Sequence, residues 1–593
     1  MSPDTAILES LVRPDTWQRI GPSIFLTLWG LVVLLADVGW MKHWPADRRR
    51  AVLGKLTLGG IVFGIFLAML LLMPSPSPFD FSLGGRQFQL GVDTANNSAV
   101  IFGGTLNSDA STAWMNLVVL ALATLVTGVA MTWNFTDYWG EFFALLLWAA
   151  VGMMMLIASA ELLTLFLTLE TMTICLYLLT SLEKNRERSA EAGLKYFIYG
   201  SVSSALFLFG LSLIYGLTGS TRLTAIHDAL NAQTGQGLPV GLAGNVAGAL
   251  AVLLVLVGFG FKIAAVPFHQ WAPDAYEGAP APAAAWLASG SKVASVIALV
   301  KVMVYGLGAW STNRADLSTP GWVGLLALVS AVTMTYGNFA ALGQRNFKRM
   351  LAYSSIAHAG YILVGVLAIA VSADGDTGAS AAVLFYLVVY SFATVGAFAV
   401  AAWLAHDTGS DNIDDLAGLG SRAPFMAVCV LVLMLSLIGL PPFAGFFGKL
   451  YMFMEALNTR EEGLGVAGEG RLTLTWLVGL GLLNSVVSAF YYVRVLKAMF
   501  LRPAQSHMGR SLPSGVFWPV LASTAITVLF GIWPSLLVAP MKGAAVVPML
   551  SAAPVQRAKF STEAVDPERA RQINAERAKR EKENEKRLFK GSP

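Results

Sequence analysis

The sequence predicts an all-α integral membrane protein with about fourteen transmembrane helices. Of its 593 residues, 55% are hydrophobic and only 13% are charged, whereas a soluble domain carries about 25% charged residues. The mean hydropathy is +0.63. The apolar runs are long and unbroken, as helical spans of about 20 residues require, and they lack the alternation of a membrane β-barrel.

The apolar windows place the helices in order along the chain. The block 140–182 is too long for one crossing, because a helix of that length would measure roughly 65 Å and a bilayer core is about 30 Å thick. We therefore expect it to fold back near residues 158–161. The predicted spans are 20–38, 53–73, 114–133, 140–159, 161–182, 192–217, 246–267, 283–310, 321–342, 350–372, 379–405, 424–457, 472–500 and 515–540.

The twelfth span, 424–457, is predicted to be a broken helix. It contains "LPPFAGFFGK" (440–449), in which Pro441 and Pro442 are followed by Gly445 and Gly448. Proline removes a backbone hydrogen bond and clashes with the preceding turn. A break at membrane depth is tolerated where protein encloses it or where it lines a polar cavity.

Basic residues in the short loops predict the orientation in the membrane. The clusters "MKHWPADRRR" (41–50), "EKNRERS" (183–189) and "QRNFKRM" (344–350) occupy the first, fifth and ninth loops of a fourteen-span count. The opposite loop at 372–380 has no Lys or Arg. The positive-inside rule then puts the odd-numbered loops in the cytoplasm and both termini in the periplasm.

The chain ends differ from the apolar middle. Residues 1–139 are predicted to hold the first three helices and a periplasmic loop. The tail at 553–593 is dense in both charge signs, and Asp566 followed by Pro567 suits a helix start. The tail lacks a continuous apolar stripe, which favours a solvated helix; a strap against a neighbouring subunit is the alternative.

Composition favours no cofactor in this chain. The two cysteines, Cys175 and Cys429, both lie in apolar segments, and no Cys/His spacing suits a metal, haem or iron–sulfur centre. The net charge of +4 reflects membrane topology rather than nucleic-acid binding.

Five ionisable side chains fall inside the predicted spans. Helical spacing gives them hydroxyl-bearing neighbours on their own helix faces, as inward-facing positions require. Tyr177, for example, lies two turns after Glu170, and Tyr199 lies one turn after Lys195. The five are Glu170, Lys195, Lys262, Lys292 and Lys449.

The cost of burying these lysines favours a function. A lysine at a helix centre costs roughly 2.5–3.5 kcal/mol, so four unpaired ones would cost on the order of 10 kcal/mol, comparable with the stability of a whole domain. Burial disfavours the charged amine and a nearby carboxylate favours it. A buried lysine beside a titratable partner is therefore suited to exchange protons, and Lys262 is the leading candidate.

Structural alternatives apply to some of these residues. Lys195 lies near its helix start and can extend its amine to the cytoplasmic interface, and Glu170 can neutralise a lysine as a static pair. Lys301 and Glu141 are close to helix ends, where we expect them at the membrane interface. Possible relay residues between the buried charges are His358, Tyr199 and Tyr177.

Several motifs closely resemble the antiporter-like membrane subunits of respiratory complex I. The resemblance covers about residues 115–505. The matching stretches are "FLTLETMTICLYLL" (166–179), "AGLKYFIYGSVSSALFLFG" (192–210), "GFKIAAVPFHQWAPDAYEGAPAPAAAWLASGSK" (260–292), "RNFKRMLAYSSIAHAGYILVG" (345–365) and "LIGLPPFAGFFGKLYMF" (437–453).

The resemblance implies a fold of two five-helix units of inverted topology, roughly 140–310 and 321–500, with broken seventh and twelfth helices. It also implies the family's charged positions: Glu170 and Lys195 on the fifth and sixth helices, Lys262 on the seventh, Lys292 on the eighth and Lys449 on the twelfth. In one related subunit type, and in many sodium/proton antiporter subunits, a glutamate takes the place of Lys449.

The resemblance further implies proton translocation from cytoplasm to periplasm across a bacterial inner membrane. In this hypothesis Lys195, paired with Glu170, sets the proton affinity of Lys262, and protons pass Lys292 and leave by Lys449. NADH oxidation and quinone reduction in other subunits, with their flavin and iron–sulfur clusters, supply the energy. Other membrane subunits and lipid are the expected partners. The alternatives are a subunit of a multi-subunit sodium/proton antiporter and a structural scaffold subunit.

Overall fold

A computed structural model describes residues 14–73, 81–83, 86–88, 99–235, 245–311, 321–372, 377–458, 474–503 and 513–543. The predicted tail helix after residue 553 lies outside them. Within the described residues, thirteen helices are long and apolar enough to cross a membrane. The predicted class, a helical multi-pass membrane protein, is confirmed.

The N-terminal region combines three long helices with two β-hairpins. The helices are α1 (Pro14–Ala36), α2 (Ala46–Leu70) and α3 (Ala110–Ala130). Strand β1 (Phe81–Leu83) pairs antiparallel with β2 (Arg86–Phe88), and β3 (Ala99–Ile101) pairs with β4 (Leu106–Ser108). Hydropathy did not predict these hairpins because three-residue strands are too short to carry a periodic signal.

The remaining helices follow the predicted order. From the fourth span to the eighth they are α4 (Trp139–Ala158), α5 (Leu162–Thr180), α6 (Glu187–Thr218), α7 (Leu223–Gly235), α8 (Val246–Ile263), α9 (Trp271–Gly278), α10 (Ala281–Ala288) and α11 (Gly290–Leu299). After these come α12 (Trp322–Leu342), α13 (Phe347–Val371), α14 (Thr377–Thr408), α15 (Leu419–Arg422), α16 (Pro424–Ile438), α17 (Ala444–Asn458), α18 (Thr475–Leu501), α19 (Ser514–Ile532) and α20 (Ser535–Gly543).

Glycine, proline and a left-handed backbone conformation end three of the helices within or near predicted spans. Helix α16 ends before Gly439, which adopts a left-handed φ of 89° that glycine accepts without a side-chain penalty. Prolines follow it, and α17 begins at Ala444. Helix α8 ends at Ile263, before left-handed Ala264 and Pro267. The last predicted span, 515–540, was wrong as one helix: α19 ends at Ile532, and α20 starts after Pro534.

Burial divides the helices into a central and an outer set. The apolar window of α14 is wholly buried, and those of α13 and of Ala281–Gly306 are nearly so. Helices α1, α2, α6, α18 and α19 leave most of their windows uncovered. The central set carries Lys292, on α11, and His358, on α13, so these polar groups lie inside the protein rather than against lipid.

The basic loops lie on one face of the molecule, as predicted. Arg50, Arg186 and Lys348 come from the three basic loops and all line a single cleft. Thr132 to Phe135, from the third loop, lines it as well. These odd-numbered loops therefore meet on one side, and the assignment of this face to the cytoplasm stays a prediction.

Candidate functional site

The amine of Lys262 lies in a buried pocket between α8 and α5. Lys262 is in the last turn of α8 and is 7% exposed. Its Nζ donates a hydrogen bond to Thr173 Oγ1 at 2.6 Å and is 3.8 Å from Glu170 Oε1. Glu170 also accepts a hydrogen bond from Ser204, at 2.5 Å. The carboxylate is thus shared between an amine and a hydroxyl.

Aromatic rings close this pocket. Lys262 Nζ lies 5.4 Å from the ring of Phe261 and 6.0 Å from the ring of Tyr177. The hydroxyl of Tyr177 is buried and has no hydrogen-bond partner in the protein. The hydroxyl lies against Gly200 of α6, so the ring rather than the hydroxyl of Tyr177 is what the structure places near Lys262.

The predicted pairing of Lys195 with Glu170 was wrong. Lys195 Nζ instead bonds Glu191 at 2.6 Å and Asp274 at 2.9 Å, and its side chain is 40% exposed. Glu191 lies one turn earlier on α6, while Asp274 comes from α9, so packing between helices decides the partner. The position agrees with the alternative in which Lys195 reaches an interface. Tyr199, next on this face, is 47% exposed.

Lys292 is held by a residue of α13. Its Nζ donates to the carbonyl oxygen and to Oγ of Ser355, at 2.5 and 2.6 Å. The hydroxyl of Tyr390, on α14, donates to the same Ser355 Oγ at 2.8 Å. Among the described residues, no carboxylate lies within ion-pairing distance of Lys292.

The side chain of Lys449, a residue of α17, reaches back to the end of α16. Its Nζ donates to the carbonyl of Ile438 at 2.8 Å and reaches Ser485 Oγ at 3.3 Å. The amine also lies 4.5 Å from the ring centre of Tyr361. The carbonyls at a helix C-terminus attract a cation, so ending α16 here creates the binding place for Lys449.

His358 stands among the groups that contact Lys292 and Lys449. Its Nδ1 is 2.5 Å from the hydroxyl of Tyr386, and its Nε2 is 3.3 Å from that of Tyr492. Its ring centre is 4.9 Å from Tyr390, the partner of Ser355, and 5.7 Å from Tyr361, which contacts Lys449. Polar side chains therefore follow one another from Lys292 to Lys449.

Lys301 was expected at the interface, and this prediction was wrong. Lys301 is 1% exposed, and its Nζ donates to the carbonyls of Ile157 and Ser159 at the end of α4. Its position within the apolar run "ALVKVMVY" was the available signal. The predicted span 283–310 put Lys301 near its end, whereas Lys301 lies in a π-helical turn, Val300–Gly306, most of whose residues are buried. Glu141 is half-buried in the first turn of α4.

The sequence analysis also missed a charged cluster that joins three helices. Arg349, at the start of α13, bonds Asp274 at 2.7 Å and Glu277 at 2.8 Å. Asp274 also receives Lys195 from α6. The two acids stand in "WAPDAYEG" just after the Lys262 turn, and charge in so apolar a stretch was the signal that pointed to them.

The described residues contain no group of three His, Cys, Asp or Glu side chains arranged to hold a metal ion. The two cysteines are buried and unpaired. The chemistry available at this site is therefore that of amines, hydroxyls, one imidazole and Glu170.

Fold and site together define a multi-pass membrane protein with buried lysines placed along its interior. The chain belongs to the family of NADH:quinone oxidoreductase and Mrp antiporter transmembrane subunits, whose family model matches residues 159–473.

Relatives support the same assignment along most of the chain. The sequence is 38% identical over 527 residues to NADH-quinone oxidoreductase subunit N 2 of Acidobacterium capsulatum, covering 87% of this chain and 96% of the relative. A chain of respiratory complex I from Thermus thermophilus, solved with bound aureothin, is 30% identical with a TM-score of 0.65 and covers 88% of this chain and 100% of its own. A chain of the Mrp complex from Dietzia sp. shares the fold alone, at 19% identity and a TM-score of 0.68, over 90% of this chain and 98% of its own.

Proposed function

We propose that the chain is subunit N of a bacterial NADH-quinone oxidoreductase and that it translocates protons. The similarity to subunit N relatives over most of both chains supports the first part. Lys449 supports it too, because one related subunit type and many sodium/proton antiporter subunits have a glutamate at that place. Other membrane subunits of the complex are its partners in this proposal.

The observation that carries the proton pathway is the kind of partner each buried amine has. Lys262 bonds a threonine hydroxyl, and Lys292 and Lys449 bond serine hydroxyls. A hydroxyl both accepts and donates a proton, so it can pass one on. Lys301 bonds carbonyls only, and carbonyls only accept.

The order of the groups suggests a route. Protons pass Lys262, whose charge Glu170 balances, reach Lys292 and move through the His358 cluster to Lys449. No direct hydrogen bond joins the Lys262 and Lys292 pockets in the described structure. The hydroxyl of Ser295, one turn after Lys292, is buried without a protein partner; in this proposal the missing steps run through water, which bonds to such groups.

The energy for this transport comes from outside the chain. Each charge moved against 100 mV costs about 2.3 kcal/mol, and the proposed pathway consists of amines and hydroxyls that only exchange protons. NADH oxidation and quinone reduction in other subunits of the complex drive the proposed changes in lysine charge. The chain is accordingly a translocase subunit, placed in the bacterial inner membrane with both termini in the periplasm.

The proposal is tested by Lys262→Ala in the assembled complex. We expect NADH-driven proton pumping to collapse, because alanine removes the titratable group from the pocket of Glu170 and Thr173. NADH oxidation by an artificial acceptor should persist, since it needs only the peripheral arm. Recovery of the variant chain in the purified complex serves as the control for assembly. Unimpaired pumping would refute the role of Lys262.

Two other functions make different predictions. A scaffold subunit predicts that Lys262→Met weakens assembly but leaves the protons pumped per electron unchanged in surviving complex. A sodium/proton antiporter subunit, a role that the shared fold of the Dietzia sp. chain keeps open, predicts sodium-dependent transport. Co-purification with flavin and iron–sulfur subunits would exclude the antiporter.

A further inference from the structure

A charged cleft opens on the face where the basic loops meet. Its volume is about 470 Å³, many times the ~30 Å³ that one water molecule takes in the liquid. Residues at the ends of α2, α3, α10, α13 and α14 line it, together with the loop between α5 and α6. The charged or titratable lining residues are Asp47, Arg50, Glu183, Arg186, Lys348 and His406.

Each Arg or Lys side chain that lines the cleft forms an ion pair with a carboxylate of the protein. Arg50 pairs with Asp47 at 2.9 Å and Arg186 pairs with Glu183 at 3.4 Å. Lys348 pairs at 3.3 Å with Asp411, which follows α14. Since each of these cations already has a carboxylate, the cleft has little spare positive charge for a phosphate or a lipid headgroup. Water is the better occupant.

Unpaired polar atoms point to water at the same place. Arg50 Nε, Thr132 Oγ1 and Asp411 Oδ1 are buried and have no hydrogen-bond partner in the protein. Arg50 and Thr132 line the cleft, and Asp411 is the partner of Lys348. Buried polar groups are nearly always hydrogen-bonded, and a polar cavity of this size supplies the water to do so.

One wall of the cleft belongs to the helix that holds Lys292. Lys348, whose side chain is only 2% exposed, stands in the first turn of α13. Ser355 follows two helical turns later on the same face, roughly 10 Å away at about 1.5 Å per residue. Ser355 holds the amine of Lys292, and α10, which starts at the cleft with Ala281, runs on towards Lys292 in α11.

We propose that this cleft is the proton intake of the chain, in which Glu183 takes protons from water and hands them inward along α13 towards the buried amines. The inference rests on the proposed function. Each step is a proton exchange between the carboxyl and water, so no oxidant or other reactant is needed.

The surroundings of Glu183 suit this task. It lies in the loop between α5 and α6, outside the spans. Burial raises the pKa of Glu183 above its ordinary value, and the smaller effects of Arg186 and Lys348 oppose that rise. The carboxyl therefore still binds protons at a pH where an exposed one would be fully ionised. The other charged or titratable groups near it are Asp411, Asp47, Arg50 and His406.

The first test is Glu183→Gln in the assembled complex, read as NADH-driven proton uptake in inside-out vesicles across a range of pH. Glutamine keeps the shape and removes the titration, so uptake should fall severalfold, most strongly at alkaline pH where protons in water are scarce. Glu187→Gln is the matched control, since Glu187, the first residue of α6, is exposed and is not among the residues that line the cleft. It should leave the pH profile unchanged.

The second test fills the cleft. Ala405 lines it, so Ala405→Trp should slow proton uptake severalfold while Ala405→Ser keeps the wild-type rate. Wild-type proton uptake by both Glu183→Gln and Ala405→Trp would overturn the proposal that the cleft is the proton intake. The proposed function is tested separately, and loss of pumping in Lys292→Gln would still support it. If the effect of Ala405→Trp vanished in vesicles without anionic lipid, the cleft would be a headgroup site and the proposal would be wrong.

Discussion

The hydroxyl of Thr173 is the smallest group on which the account depends. Its oxygen accepts a hydrogen bond from the amine of Lys262 at 2.6 Å, and its O–H donates a hydrogen bond to the carbonyl of Leu169 at 2.6 Å. A hydrogen bond to a charged group is worth about 1.5–3 kcal/mol. The charged state of Lys262 therefore depends on this hydroxyl as well as on Glu170, which is farther away.

Thr173→Val tests this dependence with almost no change in shape. We expect pumping to slow about tenfold, because a loss of about 1.4 kcal/mol corresponds to tenfold in rate. Thr171→Val is the control: its hydroxyl is exposed and bonds back to Leu167. Equal rates for the two variants, measured by NADH-driven pumping, would show that the Thr173 hydroxyl has no part in proton transfer.

At the residue scale, the sequence predicted which lysines are buried, but it did not predict which residues they bond. The cost of a buried lysine singled out Lys262, Lys292 and Lys449, and the structure places all three inside the protein. The partner of Lys195 was wrong because it depends on how α6 packs against α9. Tyr390 and Tyr492 were missed, since a tyrosine in an apolar run is usually only a packing residue.

At the scale of elements, the ends of helices provide the acceptors for two amines. Lys449 bonds the last carbonyls of α16, and Lys301 bonds those at the end of α4. Helix C-termini carry unsatisfied carbonyls and a partial negative charge. The prolines and glycine of the twelfth span predicted the first of these ends. The fold-back expected near residues 158–161 predicted the second, at the end of α4. The π-helical turn that carries Lys301 could not be predicted from hydropathy or helical spacing.

Lys301→Met separates a structural amine from a conducting one. The carbonyls of Ile157 and Ser159 lose their donor, at about 1–3 kcal/mol for each buried group left unsatisfied. We expect less assembled complex and a lower thermal midpoint, with normal pumping per assembled complex. Lys497→Met, at an exposed position of α18, should change neither quantity. A loss of pumping without loss of assembly would place Lys301 on the pathway.

At the scale of the whole molecule, the central helices α11, α13 and α14 bring the polar groups together inside an apolar exterior. Composition and hydropathy predicted the class. Thirteen of the fourteen predicted spans correspond to described helices long enough to cross a membrane, and the exception is 424–457, which is divided into α16 and α17. The contacts between helices could not be predicted, because a span's sequence fixes its length but not its neighbours. The inverted relation between the two five-helix units stays a prediction.

The central claim is that buried amines bonded to hydroxyls carry protons, whereas burial alone does not make a lysine part of the pathway. Lys292 and Lys301 stand close together in sequence and are both buried, which makes them a matched pair. The most direct test is the number of protons translocated per electron by assembled complex in sealed vesicles. The account predicts a lower ratio for Lys292→Gln and the wild-type ratio for Lys301→Met. A wild-type ratio for Lys292→Gln would contradict it.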